Sequence, residues 1–185
     1  VCSSDLLTPV EEGTMPSRRL KRFLDDNDIA YEVIHHPPAY TAQQTAARMH
    51  IHGWELAKTT IVKLDGSFAM AVLPAPYVID FSRMATVSGA RVIELASEPE
   101  FRVLFPECEV GAMPPFGNLY GLPVFVDSRL AENELIAFNA GTHDEAVRVR
   151  FSDFKRLARA TVATFGSLAH GRFQADEAWA ADGLL

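Results

Sequence analysis

Residues 57–73 read AKTTIVKLDGSFAMAVL, and they predict the β-hairpin on which the rest of the fold depends. Asp65-Gly66 separates the strand pattern Lys58–Leu64 from its partner Ser67–Leu73, and an Asp-Gly pair between two such runs is typical of a two-residue hairpin turn. The run from Phe68 to Leu73 is apolar at every position. This run predicts a strand that is buried on both faces, at the centre of a sheet.

Helices and further strands are predicted on both sides of the hairpin. The patterns predict helices at 17–27, 42–50, 81–88, 97–105 and 152–159, and strands at 29–36, 91–95, 122–127, 134–139, 145–150 and 162–165. Thr41, Asp80 and Ser97 are predicted helix N-caps, and Ser152 or Asp153 is predicted to cap the last helix. Because hairpins alternate with helical crossovers, we expect an α+β fold with a mixed, curved, barrel-like sheet surrounded by helices.

The length of 185 residues predicts one domain, at 17–166. Residues 1–16 are predicted to be an N-terminal extension and residues 167–185 a C-terminal tail. The segment 1–14 lacks periodicity and precedes Met15, which fits either a non-native extension or a natural flexible terminus. No apolar run reaches the ~18 residues that a membrane-spanning helix needs.

The charge and the cysteine content of the chain indicate its cellular compartment and the kinds of partner it can bind. Two lone cysteines and the lack of a signal peptide predict a cytoplasmic protein. The net charge of −7 argues against a broad nucleic-acid footprint, since phosphate binding depends on Lys and Arg. The densest basic cluster, residues 18–22, is interpreted either as a solvated helix face or as a local contact with an RNA backbone.

Two features carry the candidate chemistry, and each also has an ordinary interpretation. Lys58 opens a strand, where a lysine is commonly just solvated, but in a pocket its ammonium would bind a substrate oxygen. The loop Gly111–Gly117 fits a surface turn, but its glycines and prolines also permit close approach of a ligand. Amides such as those of Ala112 or Met113 would then be free to bind a substrate oxygen.

The remaining reactive residues give weak signals. His35-His36 and His50-x-His52 lack the spacing of a metal site, so neither a metal nor another cofactor is predicted. His143 fits a polar pocket wall and an exposed turn equally well. Cys108 has no histidine beside it in the sequence and is interpreted as a structural thiol.

Several segments, taken in order, resemble the YbaK-type aminoacyl-tRNA deacylases, also called prolyl-tRNA-editing domains. They are His36-Pro37-Pro38-Ala39-Tyr40-Thr41, Leu56-Ala57-Lys58-Thr59, Val72-Leu73-Pro74, Val110–Gly117 and Phe138-Asn139-Ala140-Gly141. The resemblance covers about Arg19 to Phe165, and it rests on the order and spacing of the segments, since no single one is specific.

The resemblance implies hydrolysis of the ester between a wrong amino acid and the terminal adenosine of a tRNA. Lys58 matches the key lysine of the family, and Gly111 and Pro115 match its Gly-x-x-x-Pro substrate loop. No covalent nucleophile is implied; the lysine and loop amides position the ester, and the terminal ribose hydroxyl of the tRNA assists. The implied substrate-binding residues are Gly111, Ala112, Met113, Pro115, Gly117, Tyr40, Thr41, Asn139, Gly141 and His143.

Two departures from the family pattern affect specificity. Pro114 stands where some relatives carry a small hydroxyl residue, and Asn139 stands where some alanine-directed relatives have histidine. The expected protein edits a mischarged tRNA in trans. The family resemblance favours tRNA for proline that carries a small wrong amino acid. Association with a synthetase is a further expectation, and the residues leave monomer or dimer open. The alternative is a non-catalytic module that binds tRNA or an aminoacyl group.

Overall fold

The computed structural model describes residues 16–169, in which the predicted hairpin forms the centre of a mixed sheet. In chain order the helices and strands are α1 (Pro16–Asp25), β1 (Tyr31–His35), α2 (Ala42–Arg48), β2 (Ala57–Leu64), β3 (Ser67–Pro74), β4 (Tyr77–Ile79), α3 (Phe81–Ser88), β5 (Ile93–Leu95), α4 (Glu98–Phe101), β6 (Val124–Asp127), β7 (Leu135–Asn139), β8 (Glu145–Arg150), α5 (Phe151–Ala158), β9 (Thr161–Ala163) and β10 (Gly166–Leu168). Short 3-10 helices cover Arg102–Leu104, Gly117–Tyr120 and Ser128–Glu132.

The described strands lie in three sheets. The largest has the order β5-β2-β3-β6-β9, in which β2 is antiparallel to β3 and β5, while β3, β6 and β9 run parallel. A second sheet, β1-β8-β7, is antiparallel, and β10 pairs with β4. The α+β class is therefore confirmed, but the expected barrel-like form is only a loose description, because no sheet within residues 16–169 closes on itself.

Strand β3 is buried on both faces, as its apolar run predicts. Met70 and Val72 pack on one face into the core that α1 and α5 cover, whereas Ala71 and Leu73 pack on the other face with Met84 of α3. These four residues, Met70 to Leu73, are fully buried. Because such a strand has no solvated side, its sequence shows no polar alternation.

Local capping chemistry sets several helix ends where the sequence predicts them. Thr41 accepts a hydrogen bond from the Gln44 amide at α2, and Asp80 accepts from two amides at α3, which ends at Gly89 in the left-handed conformation. Ser97 forms the predicted capping box. The predicted caps of α5 are wrong, since the helix starts at Phe151 with Arg150 in the N-cap position.

Two short strands are not predicted by the sequence. Strands β4 and β10 are three residues long each, too short for a periodic pattern, and they pair with one another. Asp127 fixes the start of β10, because it is fully buried and accepts hydrogen bonds from the amides of Phe165 and Gly166. The predicted domain boundary at 166 falls at the start of β10, whereas the predicted extension up to Met15 and the tail from His170 lie outside the described residues. No helix of the described range is long and apolar enough to cross a membrane.

Candidate active site

A cavity of about 140 Å³ lies where β2 begins and β7 ends. It is lined by Tyr40, Thr41, Ala42, Leu56, Ala57, Lys58, Thr59, Gly111, Met113 and Asn139. Six residues of the predicted site are thereby brought together: Lys58, Gly111, Met113, Tyr40, Thr41 and Asn139. Segments that are far apart in the chain therefore meet around one small cavity.

The cavity exists because two strands separate. Leu56 bridges Ala137 in parallel, and the Ala137 amide donates to the Glu55 carbonyl at 2.9 Å, so β7 lies along the edge of β2 at its start. The pairing stops there, and β5 occupies the same edge only from Val62 onward. Between these two contacts the edge of β2 has no paired strand in residues 16–169, and Lys58 and Thr59 lie in that gap.

Lys58 reaches the cavity as a partly buried amine. Its Nζ donates a hydrogen bond to the Ala75 carbonyl at 3.2 Å, which leaves two further N–H donors. Burial lowers the pKa of this amine, because removal of water disfavours the charged form. A partly desolvated ammonium binds a substrate oxygen more strongly than an exposed one does, since less water screens the charge.

The Gly111 loop contributes shape more than free amides. Gly111 has a φ of 90°, in the left-handed region that favours glycine, and its amide donates to Met113 Sδ at 3.2 Å. The predicted free amide of Ala112 is instead bonded to the Glu109 carbonyl at 3.0 Å, and this residue is fully buried behind the cavity. Of the two amides named from the sequence, only that of Met113 lies in a residue that lines the cavity.

Behind the cavity, a turn at residues 140–144 ties the Gly111 loop in place. The Gly141 amide donates to the Ala112 carbonyl at 2.9 Å, and the Gly141 carbonyl accepts from the Glu109 amide at 2.8 Å. The His143 amide donates to Glu109 Oε2 at 2.7 Å. Gly141 has a φ of 108°, which explains the glycine at this position.

The imidazole ring of His143 joins both walls of the cavity. Its Nδ1 lies 3.1 Å from the Ala39 carbonyl, and its Nε2 lies 3.0 Å from the Val110 carbonyl. Since a neutral imidazole has only one N–H, the imidazolium form alone donates to both oxygens. Gly141 and His143 are absent from the cavity lining, so the structure puts them in contact with the walls instead of the cavity.

Tyr40 and Thr41 form the outer wall. Tyr40 is 75% exposed, and its ring centroid lies 5.0 Å from that of His143. An exposed aromatic ring at a cavity mouth is a suitable stacking surface for a base. Thr41 Oγ1 caps α2 by accepting from the Gln44 amide, and this bond does not use the O–H donor of the hydroxyl.

Asn139 and Thr59 are the remaining polar residues of the lining. Asn139 Oδ1 and Thr59 Oγ1 are both buried, and neither has a hydrogen-bond partner within residues 16–169. Sequence reasoning identified Asn139 but missed Thr59, although Thr59 directly follows Lys58. Strand alternation places neighbouring side chains on opposite faces, and it gives no signal of an open strand edge.

Two predicted residues of the loop lie outside the cavity lining. Pro115 precedes Phe116, which is fully buried against Phe138 and Phe154. A Cβ on Gly117 would lie 2.6 Å from the Leu122 carbonyl oxygen, so glycine is needed there for close packing. The end of the loop, at residues 115–117, therefore packs against the core and holds the cavity-lining residues Gly111 and Met113 in position.

Cys108 has a structural environment. Its Sγ lies 3.5 Å from Tyr120 Oη, and burial raises the pKa of the thiol, which keeps it protonated. It is absent from the cavity lining. Residues 16–169 contain no group of three or more His, Cys, Asp or Glu side chains that could hold a metal ion.

Comparison with known proteins assigns the chain to a family. The model of the aminoacyl-tRNA editing domain matches residues 36–157, which is most of the chain. The chain therefore belongs to the aminoacyl-tRNA editing domain family, as its ordered segments indicate. This membership supports an enzyme that hydrolyses aminoacyl-tRNA over a non-catalytic binding module.

Individual relatives agree with this assignment. The multifunctional Ser/Thr-tRNA deacylase ProXp-y of Escherichia coli K12 is 29% identical over 167 residues, which cover 86% of this chain and 98% of the relative. The proline–tRNA ligase of Bacillus cytotoxicus is 29% identical over 107 residues, or 58% of this chain and 19% of the ligase. A crystal structure of a candidate trans-editing enzyme for prolyl-tRNA synthetase shares the fold, with a TM-score of 0.73, 20% identity, and coverage of 87% of this chain and 99% of that one.

Proposed function

We propose that the protein is a trans-acting deacylase that removes a small wrong amino acid from tRNA, with Lys58 as the residue that polarises the ester. The observation that carries this proposal is the position of Lys58: its partly desolvated amine lines one small cavity together with Gly111 and Met113. The trans-acting form is supported by the E. coli relative, a deacylase that the match covers almost completely.

Hydrolysis of the ester requires stabilisation of the charge that develops on the carbonyl oxygen. Water adds to the carbonyl carbon, the bond to the ribose oxygen breaks, and that oxygen takes up a proton, which leaves a free amino acid and a free tRNA end. Lys58 Nζ has two donors that no other residue of 16–169 engages, and they can bind the carbonyl oxygen. Because the family chemistry implies the ribose hydroxyl as a participant, no side-chain nucleophile is needed.

The cavity size supports a small aminoacyl group. A volume of about 140 Å³ has room for a side chain such as that of alanine, serine, threonine or cysteine. The likeness to proline–tRNA ligases supports tRNA for proline, and the likeness to a Ser/Thr-tRNA deacylase supports serine and threonine. We further propose a cytoplasmic protein whose editing domain spans residues 17–166 and which associates with an aminoacyl-tRNA synthetase, as monomer or dimer.

The first test replaces Lys58 by alanine. Loss of one donor to a developing oxyanion costs about 10²–10³ in rate, so we expect Lys58→Ala to abolish measurable deacylation and to keep the fold. Lys63 is a matched control on the same strand, since its Nζ pairs with Glu100 at 2.8 Å away from the cavity. Lys63→Ala should retain the wild-type rate, and full activity in Lys58→Ala would contradict the mechanism.

The second test identifies the substrate. Release of free amino acid is measured from tRNA charged with alanine, cysteine, serine, threonine or proline. Cleavage of at least one small aminoacyl ester is expected, with tRNA for proline as the preferred carrier. Binding of these tRNAs without release of any amino acid would instead support the non-catalytic module.

A further inference from the structure

Thr59 presents main-chain groups to the cavity. The Met70 amide donates to the Pro123 carbonyl at 2.9 Å, toward β6, so the facing pair Met70–Ile61 exchanges no hydrogen bonds between β3 and β2. Antiparallel ladders alternate between bonded and non-bonded pairs, so the pair Val72–Thr59, two residues along, is of the same kind. The Thr59 N–H and C=O therefore point away from β3.

The edge toward which these groups point is the open one. Strand β5 occupies it from Val62 and β7 at Leu56, and the described residues provide no strand opposite Thr59. Ile61, two residues after Thr59, has its main-chain groups on the same side of the strand. Its carbonyl accepts from the Ala96 amide at 3.0 Å, which lies on the side away from β3. A donor and an acceptor of the main chain thus face the cavity side by side.

We propose that Thr59 binds the aminoacyl group through its main chain, as one strand residue binds another. In a bonded antiparallel pair, two residues exchange both N–H···O bonds. An aminoacyl ester offers the same two groups: its carbonyl oxygen would accept from the Thr59 N–H, and its α-ammonium would donate to the Thr59 C=O. This inference rests on the proposed deacylase function and extends it to the part of the amino acid that is recognised.

The arrangement complements Lys58. Thr59 N–H and Lys58 Nζ would both donate to the carbonyl oxygen, one as a fixed dipole and the other as a charge, so the developing oxyanion would have two donors. Since every amino acid carries the same main-chain groups, this binding does not select among side chains. Selection is left to the size of the cavity and to Asn139.

The decisive experiment removes the main-chain N–H of Thr59. Thr59 is replaced by its α-hydroxy acid, which substitutes an ester oxygen for the N–H, and kcat/KM is measured on alanyl-tRNA. We expect a fall of roughly 10²-fold, with an unchanged circular dichroism spectrum. Retention of the wild-type rate by the folded ester variant would overturn the inference while leaving the deacylase function in place. If wild-type protein cleaves no aminoacyl ester, the proposed function itself fails.

The substrate provides the complementary test. Propionyl-tRNA lacks the α-ammonium of alanyl-tRNA, and each rate is divided by its uncatalysed rate to correct for intrinsic reactivity. We expect wild-type protein to prefer the alanyl ester at least about tenfold, the difference that about 1.4 kcal/mol produces. Thr59→Val keeps both main-chain groups and should keep this preference. Equal corrected rates in wild-type protein would overturn the α-ammonium contact.

A binding measurement on the unmodified protein avoids any folding defect. The amide analogue of alanyl-adenosine, in which NH replaces the ester oxygen, is titrated while the backbone amide resonances are followed. The Thr59 amide proton should move downfield and exchange more slowly with solvent. Thr60 is the internal control, because its N–H lies in the β2–β3 ladder. An unchanged Thr59 resonance at saturation would overturn the inference.

Discussion

At the scale of single residues, the environment of Lys58 determines its chemistry. The amine is tethered to the Ala75 carbonyl, and it lacks a carboxylate partner among the described residues. Lys63, on the same strand, instead pairs with Glu94 and Glu100, which raise its pKa. Two lysines five positions apart are therefore shifted in opposite directions, one by burial and the other by charge.

The lowered pKa of Lys58 predicts a pH dependence of stability. Between its folded pKa and the ordinary value of 10.5, the unfolded chain binds more protons at this residue than the folded chain, so the free energy of unfolding rises with pH in that window. We expect wild-type protein to gain stability relative to Lys58→Met as the pH rises toward 10.5, measured by urea unfolding. The free energy of unfolding of the variant is subtracted at each pH, which removes the contributions of the titrating groups that both proteins share. A constant difference would contradict the burial of the charged amine.

At the scale of elements, the turn at 140–144 organises the site without lining it. Its main chain bonds to Glu109 and Ala112 on one side, and the His143 carbonyl accepts from the Ala39 amide at 3.0 Å on the other. The two ring nitrogens of His143 lie within hydrogen-bond distance of the Ala39 and Val110 carbonyls, one on each side. Because Tyr40 and Gly111 belong to the two segments joined in this way, the turn fixes the width of the cavity.

Replacement of His143 tests this role. His143→Phe removes both ring nitrogens, of which the neutral imidazole uses one and the imidazolium uses two to donate to the Ala39 and Val110 carbonyls. At about 0.5–1.5 kcal/mol for each bond, the free energy of unfolding should fall by about 0.5–3 kcal/mol, for one bond or for two. Denaturant unfolding measures the loss, and the deacylation rate should fall as well because only main-chain bonds of the turn then link the two walls. Exposed His52 is the control, and a substitution of His52 by alanine should stay within about 0.5 kcal/mol.

At the scale of the whole molecule, the sequence predicts elements better than it predicts their arrangement. The hairpin, α2 and α3 follow from local chemistry, namely the Asp65-Gly66 turn and the caps Thr41 and Asp80. The separation of β2 from β7 does not, because it depends on where the pairing of distant strands ends. Lys58 could thus be named from the sequence through family likeness, whereas Thr59 and the linking role of His143 required the assembled fold.

The distribution of charge over the molecule predicts how tRNA binding responds to salt. The chain has a net charge of −7, and its basic cluster is partly engaged: the Arg19 guanidinium packs over the Tyr120 ring at 5.0 Å, and Lys21 pairs with Glu145 at 3.0 Å. Arg18 and Arg22 are exposed on α1, and neither forms an ion pair with another residue of 16–169. Within the described part of the chain, this cluster therefore offers about two cations without an ion-pair partner for phosphate contacts.

Two phosphate contacts give a shallow dependence on salt. With a slope of about −0.7 per contact for single strands, two contacts should weaken binding roughly sevenfold for a fourfold rise in salt, whereas six to ten contacts of the same slope would weaken it about 3 × 10²- to 2 × 10⁴-fold. KM for deacylation, measured at increasing potassium chloride, checks this value. The double variant Arg18→Ala/Arg22→Ala should flatten the dependence. A loss of a thousandfold or more would contradict the expectation, because it would require a phosphate footprint much larger than the free basic residues of this cluster provide.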